Sequence, residues 1–367
     1  MVKLKRVIWL QSIYNEKILR KSKAISPASN LWQNNFLKNL KKQKIKIFTI
    51  GHYFEPAWPK GQLFINTKKT DLVKDYDFKI INYINLPFLR NIFLFLKYIK
   101  ILTFLKFKEG DLVLAYNRSV ITNVMKIINK IRSIPFVVVI ADLKYPKKSN
   151  GYVFLSWRYF KKIKIKEPKY FLDGGINEIS IKKSEKKIKK KNKIILYSGT
   201  IGGHAGLEIL IKAFKKIKLN NLELWICGQG NDKKIESLLK EDKRIKFFGF
   251  VSNSKLIKIC NQADIFVNPR PININQYNFP SKLLFYLNFK KPIISTKCGL
   301  NPKYDKVIYF LKNDKIKNLK MKIEDLLLIN KRDLLLLEKK IKRFNSYNSW
   351  KFQTNKFIIW LNKNFSF

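Results

Sequence analysis

Carboxylates are scarce in this sequence: 25 Asp and Glu stand against 76 Lys and Arg over 367 residues, a formal net charge of +51. An imbalance of that size points to an anionic partner, nucleic acid or an anionic membrane surface. Arginine is scarce as well, outnumbered by lysine by roughly six to one, while Asn, Ile, Phe and Tyr are abundant, the pattern that AT-rich coding imposes. A nucleic-acid reader favours arginine for its bidentate geometry, so no nucleic-acid partner is expected. The anionic membrane stays open.

Cysteine is the next shortage. Cys227, Cys260 and Cys298 have no close pair, so neither a metal cluster nor a disulfide framework is indicated, and they read as core thiols of a reducing compartment. Long apolar runs are missing too. Residues 86–107 are the most apolar stretch, but Arg90, Lys97, Lys100 and Lys106 interrupt it well short of the roughly 18 residues that a membrane span needs. Two readings fit it: a helix lying in the membrane interface, with Phe93, Leu96, Ile99 and Phe104 on one face, or an ordinary core helix. Val2 to Leu10 has no cleavage site after it, so the expected location is cytoplasmic, either free or peripheral on the inner face of the plasma membrane.

What is present is a globular composition, with 46% hydrophobic and 14% aromatic residues. The length suits two domains, each with its own core. Arg6 to Ile13 reads as a strand, Asn30 to Leu40 as a helix with Leu31, Phe36, Leu37 and Leu40 on its apolar side, and Ile45 to Ile50 as the returning strand. Residues 111–116, 120–131 and 135–141 repeat the strand, helix, strand order, and Tyr170 to Ile176 closes the first domain. This is the pattern of a doubly wound α/β domain. The charge run 182–193 has almost nothing to bury and marks a linker. The expected division is 1–181, the linker 182–193, a second domain 194–345 and a closing helix within 346–367. Residues 323–337 read as one Leu-rich core helix.

In the second domain, Ile194 to Ser198 feeds a glycine loop, Gly199-Thr200-Ile201-Gly202-Gly203, with a helix from about Gly206 to Ile217. Such a loop lets backbone approach a phosphate, although a tight strand-to-helix turn explains the same glycines. Residues 263–299 repeat the theme. Ile265 to Val267 is a strand, Asn268-Pro269-Arg270 breaks it, and a helix starts near Ser281 before the strand Pro292 to Ser295. Lys282 falls in the first turn of that helix, the wrong end for a cation unless an anion compensates it.

The string Asn268-Pro269-Arg270, then Phe279-Pro280-Ser281-Lys282-Leu283, then Lys291 to Thr296 resembles the donor segment of glycosyltransferase family 4 (group 1), enzymes of GT-B fold that include bacterial surface-polysaccharide types. Tyr197 to Gly203, Leu224 to Gly230 and Phe247 to Val251 extend the resemblance over most of residues 193–300. It implies two Rossmann-like doubly wound domains facing a cleft, with the C-terminal helix crossing back to the first. It also implies a retaining transfer of sugar from a nucleoside diphosphate sugar to a glycan or lipid-linked acceptor, without metal or other cofactor. Gly199, Thr200, Gly202, Gly203, Val251, Arg270, Ser281 and Lys282 would then bind the donor. His52, Glu55, Trp58 and Arg118, at strand ends of the first domain, are acceptor-side candidates. No catalytic residue is assigned.

The chain departs from the family pattern at four charged positions. Tyr277 and Phe285 stand where two glutamates eight residues apart are usual, and Thr200 and Ala205 where an arginine and a lysine are often found. A degenerate relative that binds a nucleotide or a partner protein without turnover is therefore the alternative reading.

Overall fold

Short runs of β-branched and aromatic residues become the strands of two parallel sheets. The structure is a computed structural model that describes residues 3–22, 24–116, 119–141, 149–177, 192–230, 232–275 and 277–367. The chain forms two units: residues 1–174 with 350–367, and residues 175–349. The boundary at Gly174 precedes the Lys-rich segment, of which residues 182–191 lie outside the described residues.

The first unit contains β1 (Arg6–Trp9), α1 (Glu16–Lys21), α2 (Pro27–Lys42), β2 (Lys46–Gly51), β3 (Phe64–Ile65), β4 (Asp77–Ile80), β5 (Tyr83–Ile84) and α3 (Leu89–Phe104). β6 (Asp111–Tyr116), α4 (Ser119–Ile131), β7 (Phe136–Ile140), β8 (Gly151–Phe154), α5 (Trp157–Lys162) and β9 (Lys169–Phe171) follow. Seven of these strands lie in the order β4-β2-β1-β6-β7-β8-β9, with every neighbouring pair parallel. A parallel sheet is covered on both faces, which is why β6 and β7 are buried throughout and read as unbroken apolar runs. The opening strand is shorter than the expected 6–13, and the last ends at Phe171 rather than Ile176.

Ser26 caps α2 by accepting from Ser29 N (3.3 Å), and Pro27 presets its first turn. Trp32, Phe36, Leu37 and Leu40 are its buried face. Leu31, expected on that face, is 47% exposed, and Trp32 fills the place assigned to it. The closing helix α13 is numbered after the helices of the second unit but belongs to the first. It runs Trp350–Asn364 and packs on α2 through Trp350 against Trp32 (5.5 Å between rings) and Phe357 against Phe36 (5.3 Å). The crossing helix expected within 346–367 therefore does return to the first unit.

The second unit runs β10 (Lys193–Ser198), α6 (Leu207–Lys215), β11 (Leu222–Cys227), α7 (Lys233–Lys240), β12 (Ile245–Phe247), α8 (Asn253–Gln262), β13 (Ile265–Asn268), α9 (Ile272–Asn275) and α10 (Lys282–Tyr286). β14 (Ile293–Thr296), β15 (Tyr309–Leu311), α11 (Ile316–Leu327) and α12 (Lys331–Tyr347) complete it. The sheet order is β12-β11-β10-β13-β14-β15, all parallel. Alternation splits β10 between two cores: Ile195 and Tyr197 enter one, Ile194 and Leu196 the other. The expected helix 323–337 is broken into α11 and α12 because Asn330 starts a new helix, its side chain accepting from Asp333 N at 2.8 Å.

Candidate functional site

In both sheets the strand order reverses beside the first strand, and ligands of open α/β sheets bind where the carboxyl ends diverge at such a point. In the second unit the reversal lies between β10 and β13. Gly199 follows β10 there, and Arg270 lies just beyond β13.

The backbone at this point is crowded. Gly199 has φ +148° and donates its N–H to Cys227 O at 2.9 Å, and a Cβ on Gly228 would lie 1.7 Å from Gly199 O. Only glycine fits either position without strain. A Cβ on Gly199 would also lie 2.5 Å from Lys282 Nζ. That ammonium sits 4.1 Å from the ring centroid of Tyr197, a fully buried side chain whose hydroxyl donates to Thr200 O at 2.7 Å. Tyr286 ties α10 to the same strand end, its hydroxyl accepting from Ser198 N at 2.8 Å while its ring stacks on Phe266 at 4.5 Å. Lys282 is thus aimed at the strand end by packing from below.

Two cations meet here with no acid to balance them among the described residues. Burial holds the Lys282 ammonium well below its ordinary pKa, and the positive charge of Arg270 lowers it further. Tyr197 is pushed up by burial, with Arg270 opposing. Arg270 Nε is buried and has no hydrogen-bond partner. A desolvated cation and an unsatisfied guanidinium N–H are costly in isolation, and an anion held between them would remove both penalties. This pair, and not a helix dipole, makes the site anion-seeking, because α10 is only five residues long.

The other donor candidates differ in placement. Thr200 and Gly203 are exposed and Gly202 half-exposed, and nothing lies within 4 Å of a Cβ placed on Gly203. Val251 is half-buried against the core beside the capped start of α8. Ser281, expected to cap a helix, has helical backbone angles and its side chain makes no capping bond. Phe285, one of the two positions where the resemblance leads one to expect a glutamate, packs edge-on against Phe289 at 5.3 Å. Tyr197 and Gly228 stand in the resembling strings without a role, and Tyr286 is given none. Their roles rest on contacts made between separate segments, which no local pattern announces.

The first unit carries its own opening, a cavity of about 440 Å³ at the carboxyl ends of β1, β2 and β6. His52 lines it, 6% exposed, with Nδ1 3.1 Å from Tyr98 Oη. Asn30 is fixed by two bonds to the backbone of Tyr14, each 2.9 Å, and Gln33 is held by Trp9 Nε1 at 3.1 Å. Gln11 Oε1, in contrast, is buried and accepts no hydrogen bond. Glu55 and Trp58 do not line this cavity. Glu55 accepts from Gln62 N at 3.0 Å and so pins its own loop, while Trp58 is 48% exposed and donates its N–H to Asn85 O. Arg118 lies outside the described residues.

Two Rossmann-like parallel-sheet units and a C-terminal helix that returns to the first define the GT-B fold of glycosyltransferases, which solved structures share with this chain. A glycosyltransferase from Rickettsia africae ESF-5 superposes with TM-score 0.70 at 16% identity, covering 99% of each chain. Anabaena Alr3699/HepE, in complex with UDP and glucose, gives 0.70 at 13%, covering 98% of this chain and 100% of that one. The lipopolysaccharide outer core galactosyltransferase WaaB, in its apo form, gives 0.63 at 13%, with the same coverage. Among curated proteins none matches the chain. Residues 178–343, the part of the chain that carries the two-cation site, match the family model of glycosyl transferases group 1.

Proposed function

We propose that the protein transfers a sugar from a nucleoside diphosphate sugar to a hydroxyl of a glycan or lipid-linked acceptor in cell-surface polysaccharide synthesis, at the cytoplasmic face of the membrane. The observation that carries this reading is the uncompensated pair Lys282 and Arg270 at the switch point of the segment that matches the group 1 glycosyl transferases. The pair meets the requirement of the chemistry. In the transfer the acceptor oxygen bonds the anomeric carbon, the bond from that carbon to the diphosphate breaks, and negative charge builds on the leaving group. Fixed positive donors in a desolvated site stabilise such charge by several kcal/mol. Lys282, Arg270 and the backbone of residues 199–203 fill that role without a metal ion, and the configuration of the sugar is retained, as the family resemblance implies. HepE holds UDP and glucose, which makes a uridine nucleotide the first donor to try.

The test is a panel of nucleotide sugars, scored by thermal stabilisation and by release of nucleoside diphosphate. Stabilisation with release supports the transferase. Stabilisation without release, with or without acceptor, supports the second reading, a nucleotide-binding relative without turnover, which the Phe285 ring at a position where the resemblance leads one to expect a glutamate favours. No response to any nucleotide sugar contradicts both.

A further inference from the structure

Arg270 is held through its backbone. Its guanidinium Nε is buried without a hydrogen-bond partner, and among the described residues no ion pair holds the group. The turn on which it stands is gripped at consecutive positions instead. Pro269 and Pro271 flank it, each with its φ fixed by the ring. Thr296, at the end of β14, donates its hydroxyl to Arg270 O at 2.7 Å. Asn275 Nδ2 donates to Pro271 O at 2.9 Å, and Ile272 N donates to Asp314 Oδ2 at 3.0 Å.

The glycine loop backs the same turn. A Cβ on Gly206, where φ is +75°, would lie 2.0 Å from Pro269 O, so the end of the loop rests on the turn with no room for a side chain. Asn275 joins the two. The Nδ2 that holds Pro271 O also donates to His204 O at 2.9 Å, and Oδ1 accepts from Asn278 Nδ2 at 3.3 Å. Asn278 O in turn accepts from Gly299 N at 3.0 Å, in the loop after β14. One amide thus links the loops that follow β10, β13 and β14. Asn275 is 1% exposed and Thr296 fully buried, so neither is placed to touch a ligand. A buried polar group whose bonds are all made stiffens what it joins, and α9, at four residues, is too short to be stable without such ties.

We infer that Asn275 and Thr296 are positioning residues for Arg270: they fix the turn Pro269-Arg270-Pro271, so that a guanidinium with no other support is already in place when the donor diphosphate arrives. The inference rests on the donor-site reading of Lys282 and Arg270. A cation fixed beforehand stabilises the charge of the leaving group without reorganising at that moment, whereas a guanidinium on a loose turn must first be ordered. The hydrogen bonds, and not the volume of the two side chains, carry the role.

The test is calorimetric titration of the full chain with the diphosphates of uridine, guanosine, adenosine, cytidine and thymidine. Asn275→Ala and Thr296→Val are each made in the wild type, in R270M and in K282M. Valine keeps the shape of threonine and removes only the hydroxyl, so this variant carries the test if loss of the Asn275 amide unfolds the protein. For the nucleotide that the wild type binds, each substitution should weaken binding about fivefold to tenfold in the wild type and in K282M, but less than about twofold in R270M. The grip matters only where Arg270 is present to be held. A residue with a merely structural role would lower Tm and leave the affinity of the folded protein unchanged in every background. If the wild type binds no nucleoside diphosphate, the donor-site reading fails and the inference with it. If the wild type binds and both variants bind as tightly, or are weakened as much in R270M as in the wild type, the positioning role alone is refuted.

Discussion

Replacing Lys282 by Met should make the free protein more stable and the nucleotide-bound protein less so. The ammonium is held against Tyr197, 4.1 Å from its ring centroid, with Arg270 as the charge acting on it and no acid to answer. Methionine keeps most of the side chain's length and volume and removes the charge. A charge-assisted hydrogen bond to phosphate contributes about 1.5 to 3 kcal/mol, so the variant should bind nucleoside diphosphate about ten- to hundredfold more weakly. Without ligand, relief of the unpaired cation should raise stability by about 1 kcal/mol, or Tm by about 2 to 4 °C for a domain of this size. The pH dependence has a definite sign. The folded pKa lies below the unfolded one, so between them the unfolded chain holds more protons and wild-type stability rises with pH. K282M should lose that slope. Scanning calorimetry with and without nucleotide reads all three effects, and a variant that is less stable than wild type yet binds equally well refutes the anion-site argument.

Three further outcomes follow from the same geometry. Gly199→Ala places a methyl group against the Lys282 ammonium at a φ of +148°, and should destabilise by about 1 to 3 kcal/mol and weaken nucleotide binding together, read by denaturant titration and calorimetry. Phe357→Ala empties the contact between α13 and α2, so a loss of about 3 to 5 kcal/mol is expected in denaturant unfolding, with nucleotide affinity unchanged. Burial pushes the Cys227 thiol up to about 11, so it stays protonated at neutral pH and should resist iodoacetamide in the folded protein but react once unfolded, as mass spectrometry would show.

The parallel sheets were legible because their strands are buried on both faces and leave continuous apolar runs, as in Phe136–Ile140. The strand, loop, helix, strand order of residues 263–299 was legible because its breakers, Asn268-Pro269-Arg270 and Pro280, punctuate those runs. What joins the segments was not. Nothing local in Tyr197 announces that it carries Lys282, and the crowding of Gly228 on Gly199 depends on two strands pairing across about thirty residues. Leu31 and Trp32 show the limit at single-residue scale, since both fit an apolar stripe and only packing against Trp350 decides between them. Glu55 and Trp58 misled for a related reason. A carboxylate and an aromatic at a strand end look reactive, but Glu55 closes its own turn while Gln11, an ordinary amide in the sequence, holds the unsatisfied atom.

The central claim is that Lys282 and Arg270 together form the seat of a donor diphosphate. Its most direct test is calorimetric titration of the wild type and of R270M/K282M with uridine, guanosine, adenosine, cytidine and thymidine diphosphates. The account predicts that at least one of them binds the wild type and that the double variant loses the binding. Equal binding by the double variant, or no binding of any nucleoside diphosphate by the wild type, would contradict it.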